Sequence, residues 1–346
     1  QDLSLLFLYK SHIPRRELIN YMITLMVFHA ALYFHQIVRM TNDLVKNGKI
    51  APPRGSSPFV GEHRSHTPFN IQFFCDLTNG NVADVDALAK RSYVEQFKEI
   101  ERYFKSAYLM KKVEQFAEGY LTREQKEASG KEYIKILLGG FLRHKDLDGY
   151  FARDIQEIIE NSKDEETDEV DPDLQRVLDI ANQRKLNRLE TFVEILYQRQ
   201  YPTLREQHRK LIADLCGSEQ DRGFMAGRGR TYRKYVIGNE LLEVLIQLAV
   251  LRQSDVDGRW HSEPIEIRNF VDWFAGRYGL LIDRLPEEWP EDEKTNRALV
   301  SNYEALKTRL RQLGFFTDLS DASNSQVIEP RFAIRGEELT TGDSAA

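Results

Sequence analysis

The sequence predicts a mainly α-helical protein with a smaller α+β unit at its C-terminal end. Apolar residues recur at steps of three and four along most of the chain, and strand-like runs are few. After Arg230, three helical segments are followed by two apolar arms that flank a run of turn residues. This order of elements is typical of a winged helix, so we expect a helical N-terminal domain joined to a winged-helix-like domain.

Composition and charge indicate a globular protein of two or three domains. Of the 346 residues, 41% are hydrophobic and 29% are charged, and the net charge is −6. This charge argues against general coating of nucleic acid, although it allows a local basic patch. The two cysteines, Cys75 and Cys216, cannot build a disulfide framework, so we expect buried thiols and a cytoplasmic protein.

Residues 1–160 are predicted to form the helical domain. Leu18 to Met40 is apolar over the length of a membrane span, but scattered Asn, Thr, His and Gln residues favour a helix buried in a helical domain, without membrane contact. Tyr93 to Phe116 places apolar side chains on one face of a long helix. A loop rich in Pro, Gly and Ser separates these two segments, and two shorter helices are predicted to meet near Asp146.

An acidic linker is predicted at residues 161–173, because seven acids and no aromatic residue occur between Ser162 and Asp173. Residues 174–222 are predicted as bridging helices, one of which starts near Pro202 and ends before Gly217. The tail at 335–346 is predicted to be disordered.

The winged-helix-like domain is predicted at residues 230–334. Two apolar helices enclose the turn sequence DGRWHSEP, and a third helix ends at Gly314 as its C′ residue. The two arms of FFTDLSDASNSQVIEPRF are then predicted to pair as a hairpin, which would be the wing.

Eight cations are candidate contacts to the phosphates of double-stranded DNA. They are Lys307, Arg309 and Arg311 on the exposed face of the third helix, Arg331 on the wing, and Arg228, Arg230, Arg233 and Lys234 in the sequence MAGRGRTYRKY. Glycines and tyrosines in that last sequence suit a flexible arm that stacks on bases. The competing interpretations are that winged helices also dock proteins, and that these cations are solvated or pair with acids of the linker or of a partner subunit.

No catalytic residue, metal site or cofactor is predicted. HKDLDG lacks the first and twelfth ligands of a calcium loop, where His144 and Ile155 stand. His63, His66 and Cys75 are too few for a structural zinc site. Phosphate-loop and nucleophile-elbow motifs are missing from the sequence. An enzyme, such as a nuclease, whose site is assembled from dispersed residues stays an alternative.

Three runs in the last third of the chain carry a family resemblance: RTYRKYVIGNELLEVLIQLAVL, FVDWFAGRYGLLID and LKTRLRQLGFFTDLSDASNSQVIEPRF. They resemble the C-terminal part of helical accessory proteins encoded in bacterial anti-phage defence operons, beside ATPases, nucleases and DNA-modifying enzymes. The resemblance implies a non-catalytic subunit that helps to assemble a multi-protein complex or to load it on DNA. Its partners would be other subunits, such as an ATPase or a nuclease. The alternative is a stand-alone protein that binds DNA independently of sequence.

Overall fold

The computed structural model describes residues 2–47, 71–128, 130–164, 168–217, 221–227, 232–254, 256–315 and 326–334. The described α-helices are α1 (Asp2–Phe7), α2 (Arg15–Asn47), α3 (Ala83–Ala117), α4 (Arg123–Glu127), α5 (Gly130–Ile136), α6 (Leu147–Glu160), α7 (Pro172–Gln183), α8 (Arg188–Leu215), α9 (Asn239–Ala249), α10 (Ile267–Tyr278) and α11 (Glu293–Gln312). The described strands are β1 (Phe73–Phe74), β2 (Met225–Ala226), β3 (Lys234–Tyr235), β4 (Leu251–Gln253), β5 (Trp260–Ser262), β6 (Ile265–Glu266), β7 (Leu280–Leu281) and β8 (Val327–Ile328). The mainly α-helical prediction is confirmed.

The chain divides into two compact units. Of the described residues, those numbered 2–36, 71–96 and above 210 form the first unit, and those numbered 37–47 and 97–210 form the second. This division differs from the predicted boundaries, because the C-terminal third packs with segments from the N-terminal third. Neither the predicted domain at 1–160 nor that at 230–334 forms a unit by itself.

The first unit is built around a cluster of buried aromatic side chains. Phe28 of α2 and Tyr278 of α10 lie 5.2 Å apart between ring centroids, and Phe73 of β1 lies 4.9 Å from Tyr235 of β3. Phe224 contacts Phe28, Phe73 and Tyr235. Because each buried aromatic side chain contributes roughly 1.5–3 kcal/mol, this cluster is a major part of the core.

A short parallel pairing connects distant parts of the chain within the first unit. Phe73 and Phe74 of β1 pair with Leu280 and Leu281 of β7. Gly279 precedes β7 with a φ of 69°, and a Cβ atom there would lie 1.9 Å from the carbonyl oxygen of Ile71. The two strands lie in the strand-like runs FNIQFF and YGLLID, and nothing in either run specifies the other as its partner.

The second unit is a helical bundle with its own core. Phe116 of α3, Phe151 of α6 and Phe192 of α8 are among its buried side chains. The acidic segment is partly structured, since Lys163 and Val170 form an antiparallel bridge and Asp171 caps the start of α7.

The helix break predicted at Pro202 is misplaced. α8 continues through Pro202, and the chain breaks instead between α7 and α8, where Lys185 has a φ of 55°. Proline removes one backbone donor but does not always end a helix that is held by packing on both sides.

The predicted wing is only partly within the described residues. Its first arm after Phe315 and its turn lie outside them, and its second arm forms β8. β8 pairs antiparallel with β6, through Ile265 with Ile328, and the amide of Glu329 donates to the carbonyl of Phe315. DGRWHSEP is not simply a turn, because it contains β5, which pairs with β4. Gly314 has the predicted positive φ, 77°.

Candidate interaction surfaces

A loop after β1 wraps around the buried carboxylate of Asp76. The backbone amides of Thr78 and Gly80 donate to it at 2.7 and 2.9 Å, and the hydroxyl of Thr78 donates at 2.6 Å. The ammonium of Lys234 lies 2.6 Å from both Asp76 and Asp86. Burial alone would lower the pKa of Lys234, but its hydrogen bonds to the two carboxylates outweigh burial and raise that pKa. Lys234 therefore contacts carboxylates of its own unit.

Arg309 is buried, so the prediction that it lies on the exposed face of the third helix is wrong. Its guanidinium donates to the carbonyl of Ile237 and to the side-chain oxygen of Asn79. Burial lowers its pKa. The sequence held a signal that was missed, because Arg309 stands three residues after Leu306 and next to Leu310, on the apolar face of α11.

Among the other predicted cations, two form ion pairs with acids of the first unit. Lys307 lies 2.6 Å from Glu304, and Arg331 lies 2.9 Å from Glu243 with its guanidinium over the ring of Phe315. Arg311 is exposed and Arg233 is half-buried. Arg228 and Arg230 lie outside the described residues, in the connection between β2 and β3.

The exposed face of α11 carries both signs of charge. Its exposed residues include Glu293, Lys294, Arg297, Val300, Glu304, Thr308 and Arg311. Lys294 pairs with Asp84 at 3.0 Å, and Arg297 lies 3.8 Å from Glu293. Val300 is 65% exposed in the middle of this face. A helix that binds phosphates carries an excess of cations, whereas this face is close to charge-balanced.

A second exposed surface lies on α2 and is apolar. We define the α2 stripe as Ile19, Ile23, Met26, Ala30 and Tyr33, all of which are exposed. Met26 is 56% exposed and Tyr33 is 64% exposed. Among the described residues, α2 is also the one helix long and apolar enough to cross a membrane, and 44% of its most apolar window is buried within the protein. An exposed apolar row of this kind marks a binding surface more often than scattered single residues do.

The described residues contain no group of three or more His, Cys, Asp and Glu side chains that could hold a metal ion. His63 and His66 lie outside them. Cys75 and Cys216 are buried free thiols, and burial raises the pKa of each. Such thiols are poor nucleophiles at neutral pH.

His35 is a buried histidine of the aromatic core. Its Nδ1–H donates to the carbonyl of Ala31 at 2.8 Å, and its Nε2 lies 3.4 Å from the hydroxyl of Tyr235. Burial lowers the pKa of His35 to about 4. It is therefore neutral at physiological pH, with both ring nitrogens near groups of the core.

Comparison with known proteins matches the chain to a family model. The family model described as methylation-associated defense system protein MAD7 matches residues 1–332. No curated protein and no solved structure is significantly similar to the chain.

Proposed function

Because the chain belongs to the family of methylation-associated defense system protein MAD7, we propose that it is a non-catalytic subunit that docks other proteins of that system. The resemblance to defence-system proteins is thereby confirmed, and it extends over residues 1–332 rather than over the last third of the chain. We propose further that this subunit works in the cytoplasm and uses no cofactor.

The docking role rests on one main observation, which is that four of the predicted cations already contact groups of the first unit. Lys234 and Arg309 are held by buried partners, and Lys307 and Arg331 pair with acids. A cation that already pairs with an acid of its own chain contributes little to DNA binding, because it displaces few of the counterions condensed on the DNA phosphates. A surface with balanced charges and exposed apolar side chains suits protein recognition better.

We propose that the C-terminal elements form a winged-helix-like arrangement and that this arrangement presents the docking surface. α9, α10 and α11 follow one another as the three helices, and the antiparallel pairing of β6 with β8 supports a small sheet beside them. In this arrangement the exposed face of α11, with Val300 at its middle, is the surface offered to a partner.

A second candidate function is contact with double-stranded DNA. It is favoured by Tyr232, which is 65% exposed next to the Arg/Gly-rich segment that holds Arg228 and Arg230. Arginines bind duplex phosphates, and an exposed tyrosine hydroxyl can donate to a phosphate oxygen beside them. Arg233 and Arg311 would extend this contact.

Two measurements on the purified full chain separate these functions. The first is co-purification with the other proteins of the defence system, comparing Val300→Glu with the control Val256→Glu, a residue that is 97% exposed at the β4–β5 turn. We expect only Val300→Glu to disrupt the complex. The second is binding to a DNA duplex at two salt concentrations, with Arg228→Glu/Arg230→Glu as the variant. The DNA role would replace the docking role if the chain binds the duplex tightly, if this binding weakens steeply with salt and is lost in the variant, and if no protein complex forms.

A further inference from the structure

The α2 stripe has the spacing of a coiled-coil seam. Its members follow one another at steps of four, three, four and three residues. The opposite face of α2 is packed into the core of the first unit through Leu18, Tyr21, Leu25, Phe28 and Leu32, which are buried. α2 therefore has two apolar faces, of which only one is covered within the described residues.

The stripe is one row wide, whereas the buried face of α2 is wider, because Thr24 and Ala31 are buried beside Leu25 and Leu32. The stripe matches the a and d positions through which one helix inserts knobs into the holes of another helix. Between Ile19 and Tyr33 the stripe spans about 21 Å, which is enough for two heptads. Its shape thus fits a single long helix.

Two exposed cations lie at one end of the stripe. Arg15 and Arg16 lie in the first turn of α2 and form no ion pair with a described residue, while Glu17, the acid of the same turn, is half-buried and accepts a hydrogen bond from Tyr21. Cations in the first turn of a helix are disfavoured by the helix dipole, so these two arginines destabilise α2 when nothing neutralises them. An acidic group of a partner protein would neutralise the two arginines and remove their unfavourable interaction with the helix dipole.

The positions that flank the stripe hold no acid. They are Asn20, Met22, Val27, His29, Phe34 and Gln36. Charges at the e and g positions that flank a seam set which partner pairs and in which orientation, and here these positions hold no Lys or Arg either. A matching helix would accordingly carry acids where it meets Arg15 and Arg16 and neutral or apolar residues elsewhere.

We propose that the α2 stripe binds an amphipathic helix of another protein of the defence system, with apolar residues at four-three spacing and acidic residues at the end that meets Arg15 and Arg16. This partner assignment rests on the docking role proposed above. A second copy of α2 fits less well, because it offers no exposed acid to the two arginines. A membrane fits less well too, because the other face of α2 is packed in protein and the stripe is one row wide.

The chemistry of the stripe can be tested with a synthetic helix about four heptads long, with Leu at a and d, Glu at e and g in the heptad that meets Arg15 and Arg16, and Gln at the remaining e and g positions. A twin peptide carries Lys in place of Glu. Fluorescence anisotropy with the full chain should show the Glu peptide binding about tenfold or more tightly than the Lys peptide. Met26→Glu should weaken binding of the Glu peptide by a similar factor, whereas Val256→Glu should leave it unchanged.

Charge reversal gives a sharper test of orientation. Arg15→Glu/Arg16→Glu should invert the preference toward the Lys peptide, and it should leave the fold intact because acids are favoured in the first turn of a helix. Equal binding of the two peptides, or binding that Met26→Glu does not affect, would overturn the proposal. So would a wild-type dimer that Met26→Glu converts to a monomer in sedimentation, or binding to phosphatidylserine vesicles that depends on Met26.

The peptide assay and the assembly assay distinguish failure of the α2 proposal from failure of the docking role. If the complete defence complex forms equally with wild type and with Met26→Glu, the α2 proposal is wrong and the docking role stands. If the wild-type chain forms no complex with any protein of the system, the docking role is wrong, whatever the peptides do. Loss of the complex in Met26→Glu but not in Val256→Glu supports both.

Discussion

Replacing Asn302 with alanine tests whether the C-terminal region depends on the strand before α3. Asn302 is fully buried on α11, and its amide joins three backbone groups. It donates to the carbonyls of Cys75 and Ile282, both at 2.9 Å, and its oxygen accepts from the amide of Leu77 at 2.8 Å. One side chain thus connects α11 to the segments that contain β1 and β7.

The magnitude follows from the three backbone groups that Asn302→Ala leaves without partners. Each unsatisfied buried polar group costs about 1–3 kcal/mol, and some relaxation or water entry recovers part of that. We therefore expect the free energy of unfolding to fall by about 3–5 kcal/mol, which is a large part of the stability of a typical domain.

Urea unfolding followed by far-UV circular dichroism measures this change. The matched control is Asn296→Ala, because Asn296 is an exposed asparagine of the same helix. Its replacement should change the free energy of unfolding by less than about 0.5 kcal/mol. A loss below about 1 kcal/mol for Asn302→Ala, with the slope of the transition unchanged, would refute the claim that this amide holds the segments together.

Three further predictions concern the first unit. Lys234→Met leaves the buried carboxylate of Asp76 without its cation and should cost about 3–5 kcal/mol in urea unfolding, whereas Lys90→Met, at the partly exposed pair with Asp86, should cost less than about 1 kcal/mol. The pKa of His35 is lowered from 6.5 to about 4, so its contribution to stability is fully present above pH 6.5 and is lost as the pH falls toward 4, by up to about 1.4 kcal/mol per pH unit. His35→Gln should flatten that part of the pH profile of the unfolding free energy, and an unchanged profile would contradict it. A fragment of residues 230–334 should give no cooperative unfolding transition, because it lacks β1 and the backbone partners of Asn302; a sharp transition would show that it folds alone.

Helical periodicity was enough to predict most of the α-helices. α3 lies where Tyr93, Phe97 and Ile100 repeat at steps of three and four, and all three are buried. Gly314 ends α11 with a positive φ, as its position after the last apolar residue indicates. These features are local, so a short window of sequence contains the information that determines them.

The pairing of β1 with β7 could not be predicted in the same way. The two strands are two residues each and lie about two hundred positions apart, so neither carries a pattern long enough to specify a partner. Both strands lie in the first unit, which combines segments from the two ends of the sequence, so boundaries drawn along the sequence differ from the structure. For the candidate site, the exposure of Val300 and the α2 stripe required the structure, because sequence alone does not tell which of two apolar faces is covered.

The resemblance of Leu18 to Met40 to a membrane span has a physical explanation in the two faces of α2. A helix that packs on one core needs apolar residues on one side only, and its solvent side is usually filled by Lys and Glu. α2 instead carries Ile, Met and Tyr at exposed positions, and its mean hydropathy therefore reaches that of a membrane-spanning helix. If the stripe is a seam for a partner helix, polar replacement of its residues should leave the folded chain stable and abolish assembly. If it contributes to folding, the same replacements should lower the free energy of unfolding. Urea unfolding of Met26→Glu, measured beside its peptide binding, distinguishes these two origins of the same sequence pattern.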